Sequence, residues 1–224
     1  MSRIGYWELA HGQTYSSEDV YGERRIVQWL TLTRKLEIIY IKETSMLPEQ
    51  LLSESKQIEK ILIDTRHHLH ANPETGFALK QTKAFVKAEL EKMGYTPSDC
   101  GKSGLTALVG GKKQGKVFLL RADMDALPIK EEATIDFASH NNNMHACGHD
   151  MHTAMLLGAA RLLKEHEAEI EGTVKLMFQP AEELLEGSKD MIEHGVLENP
   201  SVDAALMMHV MTGIPLPTGT IVAC

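Results

Sequence analysis

Residues 105–123, "LTALVGGKKQGKVFLLRAD", decide how the rest of the chain is read. Two apolar runs flank "GGKKQGK", an interval that reads as a hairpin connection. The second run, Val117 to Leu120, is apolar at every position. A strand with no solvent-facing set is buried on both faces, as in layered α/β sheets. Working outward, "GTVKLMFQP" (172–180) and "VDAALMMHV" (202–210) read as two further strands. A helix is expected over about 150–167, with Met151, Met155, Leu156, Ala159, Leu162 and Leu163 at helical spacing, and a short one near 186–194. Upstream, Leu51, Leu52, Ser55, Ile58, Ile61, Leu62, Thr65 and Leu69 fit one helix from Pro48 to about 70, stopped by "ANPETG" (71–76). A second helix is expected over 78–93, with Phe85, Val86, Leu90 and Met93 inward and Gly94 ending it. Helices alternating with strands predict a layered α/β fold.

Residues 1–45 differ from the rest of the chain. They hold both tryptophans and four of the five tyrosines, and "VQWLTLTRKLEIIYI" (27–41) alternates like a strand without caps or turns. The expected division is a distinct N-terminal segment over 1–45 and a folded α/β domain over 46–224.

The chain has 224 residues and a net charge of −8, with 31 acidic against 23 basic side chains. No basic stripe offers a phosphate surface, which argues against nucleic acid as a partner. Three widely spaced cysteines, Cys100, Cys147 and Cys224, do not suggest a disulfide framework and fit a reducing compartment. No run approaches the roughly 18 apolar residues of a membrane span, and the N-terminus lacks a signal-peptide pattern. The expected location is cytoplasmic, away from membranes.

In open α/β sheets ligands gather at the carboxyl ends of the strands. The first such end runs into Asp123 and Asp125, the second into Glu182 and Glu183, and the third into His209. The loop before the long helix, "MHACGHDMH" (144–152), adds Cys147 and His149. Thiolate, imidazole and carboxylate together suit Zn²⁺, with Mn²⁺ or Co²⁺ as alternatives. Of two adjacent glutamates one can ligate while the other serves as general base, and Asp123 and Asp125 can orient histidines from behind. Each residue also has a plainer reading. Cys147 could be an inert buried thiol, the glutamates a solvated helix face, and His209 a sheet cap. His145 and His152 stay open between ligand support and ordinary polar roles. His67, His68 and His70 read as surface or packing residues. A thiol hydrolase using Cys147 and His149 is the competing mechanism, but neighbours two apart in a loop rarely reach nucleophile–base geometry.

"RHHLHANPETGF" (66–77), "LLRADMDALPIKE" (119–131), "HACGHDMHTAMLLGAARLL" (145–163), "VKLMFQPAEE" (174–183), "GSKDMIEHGVL" (187–197) and "HV" (209–210) together resemble the M20 metallopeptidase family. The similarity is to its amidohydrolase branch of hippurate hydrolases, N-acyl-amino-acid amidohydrolases and N-acetyldiaminopimelate deacetylases. The resemblance implies a zinc-peptidase-like α/β catalytic domain of three layers with a mostly parallel sheet, and two divalent metal ions. It implies metal ligation by Cys147, His149, Glu183 and His209, general-base catalysis by Glu182, and an orienting role for Asp125. The implied reaction is hydrolysis of the N-acyl amide of an N-acyl amino acid. It also implies that relatives continue past a strand like "GTIVAC" (219–224) into a lid and dimerisation domain and a later metal-binding histidine. On that resemblance, 1–45 is expected to be a non-family extension from an upstream or misassigned start, and 46–224 a partial catalytic domain, the N-terminal half of an enzyme whose full-length relatives are homodimers, without their dimerisation domain; an inactive metal-binding fragment is the alternative.

Overall fold

The computed structural model describes residues 48–211, 217 and 219–222, together with 7–8 and 14–15. The chain divides into two units, Met1–Glu43 and Thr44–Cys224. In the first, β1 (Trp7–Glu8) pairs antiparallel with β2 (Thr14–Tyr15). The remaining expectations for 1–45 lie outside the described residues. "GTIVAC" is described only over 219–222, where no strand forms.

The second unit opens with α1 (Pro48–Gln57) and α2 (Glu59–Ala71), where the periodicity predicts one helix. The break falls at Ile58, with φ −95° and ψ 4°, and no glycine or proline accounts for it. Then come α3 (Lys80–Lys92), β3 (Ser98–Cys100), β4 (Gly104–Gly110), β5 (Val117–Asp123), α4 (His149–Glu165), β6 (Thr173–Gln179), α5 (Gly187–Glu193) and β7 (Ala204–Met207). Helix α3 lacks a side-chain cap of its own, and Glu74 supplies one from the preceding loop. Its carboxylate accepts the amides of Gln81 (3.1 Å) and Thr82 (2.7 Å), donors that a helix start leaves unpaired.

The sheet order is β3-β4-β6-β5-β7. Strand β6 runs parallel to β5, and β5 parallel to β7, while β4 is antiparallel to both β3 and β6. Four of the five strands therefore share one direction, as expected. The hairpin reading of 105–123 is wrong, because β6 lies between β4 and β5. The strand that fits between them is the one buried on both sides. Val174, Leu176 and Phe178 face one helical layer, and Lys175, Met177 and Gln179 face the other. The "GGKKQGK" loop steps across this strand, pinned to its start by Gly111 N–H to Gly172 O (2.6 Å) and Thr173 N–H to Lys116 O (2.9 Å). Gly110 and Gly111 adopt φ of 86° and 78°, which their missing Cβ permits.

Helices α3 and α4 cover one face, burying Val86, Leu90, Leu156, Leu157 and Ala160 against Leu105, Ala107, Val109 and Phe178. Helix α5 covers the other, with Met191 against Leu119, Met177 and Val196. Lys175 is buried on that side, and its ammonium donates to the carbonyls of Val196 (2.9 Å), Glu198 (2.7 Å) and Pro200 (3.0 Å). Three acceptors satisfy its three donors, so its hydrogen bonding is complete without a carboxylate. Among the described residues no helix is long and apolar enough to cross a membrane.

Candidate metal centre

The register sets the site. Asp123 lies opposite Gln179, and Arg121 opposite Met207. Two residues past Met207, His209 comes level with the end of β5, and the glutamates lie just past the end of β6. Helix α4 begins at His149, delivering Cys147 and His149 to the same edge.

The expected ligands and general base fall into two overlapping groups there. Cys147, His149 and His209 each bring a ligand atom to within 4.8 Å of one another, as do His149, Glu182 and Glu183. His149 belongs to both groups and is buried. Its Nδ1 lies 2.8 Å from the Asp125 carbonyl, which can only accept, so Nδ1 carries a proton and Nε2 is the nitrogen left for the site. Nε2 lies 3.8 Å from both Glu182 Oε2 and Glu183 Oε1 and has no hydrogen-bond partner. Glu183 Oε1 is likewise buried and unpartnered. Buried polar atoms without partners cost free energy unless something pairs with them, and these two lie 3.8 Å apart. Such a donor set, with a thiol and a second imidazole beside it, fits a divalent cation.

Asp125 makes two sets of contacts at the site. Its carbonyl fixes His149, and its buried carboxylate accepts the backbone amides of Glu182 (3.0 Å) and Glu183 (3.2 Å). One side chain thus holds the turn that carries both glutamates. That turn is tightly drawn: Ala181 and Leu185 sit at φ 48° and 56°, and the amides of Glu186 and Gly187 both donate to Ala181 O.

Asp123 orients a histidine, as expected. Its Oδ1 takes His152 Nδ1 at 2.6 Å, and Oδ2 faces Arg121 Nη1 at 2.7 Å. Burial opposes its ionisation, but His152, His149 and Arg121 outweigh burial and hold its pKa below the ordinary value. His149 is pushed down by burial and more strongly up by Asp125, Asp123 and Glu183, for a net rise. The site is an acidic pit that attracts positive charge.

The thiol alternative gains one fact: His209 Nε2 lies 3.3 Å from Cys147 Sγ, a pair drawn from distant segments. Electrostatics works against it. Burial and the Glu183, Glu182 and Asp123 carboxylates push the Cys147 thiol up to about 11. A nucleophilic thiolate requires the opposite shift.

His145 stays outside these groups. It is buried, lowered by that burial to a pKa of about 4, and without a partner at either ring nitrogen. His67 and His68 pack as expected, stacked on Phe137 and Phe85 at 3.7 and 4.2 Å. His70 does more than pack. It is buried, with Nδ1 2.8 Å from Asp150 and Nε2 2.9 Å from Glu131. Arg66 joins Asp150 at 2.8 Å. The helix-start aspartate therefore ties α4 to α2 and to the 131–143 loop. Helical spacing could not show this, because each partner is more than 60 residues from His70 in sequence.

Residues 119–223 match the profile of Peptidase family M20/M25/M40. The chain is 44% identical over 173 residues to the IAA-amino acid hydrolase ILR1-like 5 of Arabidopsis thaliana, covering 75% of this chain and 39% of that protein. It is 44% identical to the N-acetyl-L-cysteine deacetylase of Bacillus subtilis, over 72% of this chain and 39% of the relative. Among solved structures, a Bacillus subtilis protein described as a dinuclear metal binding peptidase from the M20 family superposes with a TM-score of 0.67 at 40% identity, covering 72% of this chain and 45% of that one. The fold is a mixed α/β domain with a mostly parallel central sheet, as in this structural neighbour. Over residues 119–223 the chain matches the M20/M25/M40 peptidase family, and it spans about two-fifths of the length of these curated relatives.

Proposed function

We propose that the chain carries a divalent-metal centre serving hydrolysis of the amide bond of an N-acyl amino acid. The observation that carries this reading is the buried, unpartnered Nε2 of His149, placed between the Cys147–His209 pair and the two glutamates. Cys147, His149, Glu183 and His209 would hold two divalent ions, Zn²⁺, Mn²⁺ or Co²⁺. Such ions polarise a carbonyl and lower the pKa of water toward about 7. Glu182 is the more exposed of the glutamates, with 33% of its side chain accessible against 21% for Glu183. It can take a proton from the attacking water and return it to the departing amine. Asp125 keeps the two carboxylates in register by holding their amides. The names of the relatives support the substrate class: one is named an IAA-amino acid hydrolase and another an N-acetyl-L-cysteine deacetylase.

The test is release of free amine from N-acetyl amino acids by the purified chain. Turnover abolished by a chelator and restored by Co²⁺ or Zn²⁺ is the expected result. Turnover that survives chelation but is abolished by iodoacetamide would move the chemistry to Cys147 and His209.

A further inference from the structure

His152 is the imidazole nearest the site that the proposed ligand set does not use. Asp123, His149 and His152 also offer ligand atoms within 4.8 Å of one another, so His152 could itself be a ligand. Its hydrogen bonds exclude that. Nε2 lies 2.9 Å from the amide nitrogen of Val210, which can only donate. Nε2 therefore accepts, and the ring proton sits on Nδ1, donated to Asp123 Oδ1 at 2.6 Å. Both nitrogens are engaged, and the ring is 2% exposed.

We propose that His152 is a positioning residue that sets the place of His209. The chain of contacts begins on β5, where Arg121 holds Asp123 (2.7 Å). Asp123 holds His152, and His152 holds the backbone at Val210. Strand β7 ends at Met207, so His209 and Val210 lie beyond the sheet's own hydrogen bonds. The ring of His209 stands edge-on to that of His152 at 4.7 Å between centroids. His209 Nδ1 lies 2.6 Å from the Val210 carbonyl, which leaves Nε2 turned toward Cys147. His209 is exposed, and His152 is the buried anchor behind it. Groups standing behind metal ligands typically cost about 10–100-fold in metal affinity when removed.

This inference rests on the metal reading of the site, and the experiment separates the two. In the metal-free protein labelled with ¹⁵N, a coupling across the hydrogen bond between Val210 N and His152 Nε2 is expected, with the proton on His152 Nδ1. On adding Zn²⁺, the Nε2 resonances of His149 and His209 should shift as ligands, while His152 Nε2 keeps its coupling to Val210. His152→Phe should weaken Zn²⁺ binding about 10–100-fold at unchanged saturating stoichiometry, and His152→Gln, which restores an acceptor, should recover part of the loss. A His152 Nε2 that shifts as a ligand, or no coupling in the metal-free protein, would overturn the inference. A wild-type chain that takes up no Zn²⁺ would overturn the metal reading instead, while the coupling still stands or falls by itself. The wild-type spectra decide the matter even if His152→Phe fails to fold.

Discussion

Asp125 is the residue whose replacement tests the geometry most cleanly. Asp125→Asn keeps its shape but sets an NH₂ group against one of the two glutamate amides it now accepts. One buried donor then goes unpaired, at a cost of about 1–3 kcal/mol, read as a lower urea midpoint. An unchanged midpoint would mean the carboxylate does not hold the turn. Glu182→Gln should retain metal and lose turnover, whereas Glu183→Gln should lose metal; the reverse pattern would exchange their roles. At this scale much was legible in sequence. Cys147, His149, Glu182, Glu183, His209 and Asp125 could be named because each lies just past a strand end or opens a helix. His70, Arg121 and the anchoring role of His152 could not. Their partners are set by strand register and helix packing, which spacing along the chain does not encode.

At the scale of elements, two devices hold the ligand loops. The turn after β6 closes on Gly187, where a Cβ would collide with the Pro180 carbonyl. Gly187→Ala should therefore destabilise the fold by about 1–3 kcal/mol. It should weaken metal binding as well, because the glutamates ride on that turn; calorimetric titration beside a thermal melt would show whether the two effects travel together. The second device joins α2, α4 and the 131–143 loop through His70. Asp150 and Glu131 each accept from one ring nitrogen, so His70 must carry both protons. Its pKa is raised, chiefly by Asp150, and that of Asp150 lies below the ordinary carboxylate value, since His70 and Arg66 outweigh its burial. The raised histidine contributes in full below its unfolded pKa of about 6.5, and the contribution fades as pH rises through the folded value. Asp150 contributes above its unfolded pKa and fades as pH falls through its depressed folded value. Urea stability should therefore decline from about pH 6 toward alkaline pH, and His70→Gln should flatten that slope. A slope that persists in His70→Gln would place its origin elsewhere. The sequence showed most elements but not their neighbours. A lysine- and glycine-rich interval looks the same whether it joins paired strands or crosses over a third, and only the two-sided burial of β6 decides.

Over the molecule as a whole, the five-stranded sheet is covered unevenly. Leu206, Met207, Met208 and Met211 are 49%, 65%, 50% and 68% exposed, forming an apolar margin on and beyond β7. Exposed apolar edge strands promote association, and Met207→Lys should reduce light scattering on concentration without altering the circular dichroism spectrum. The α/β architecture was predictable from the double-sided apolar strands, whereas the uneven cover was not, because β7 reads in sequence as a core strand like β5 and β6. The acidic edge of that sheet leads to the central claim, that the strand ends form a metal centre with Cys147 as ligand. Cobalt titration of the metal-free chain measures it directly through the sulfur-to-metal charge-transfer band. The account predicts a saturable band in the wild-type chain that disappears in Cys147→Ala. A wild-type chain without the band, or a Cys147→Ala chain that retains it, would contradict it.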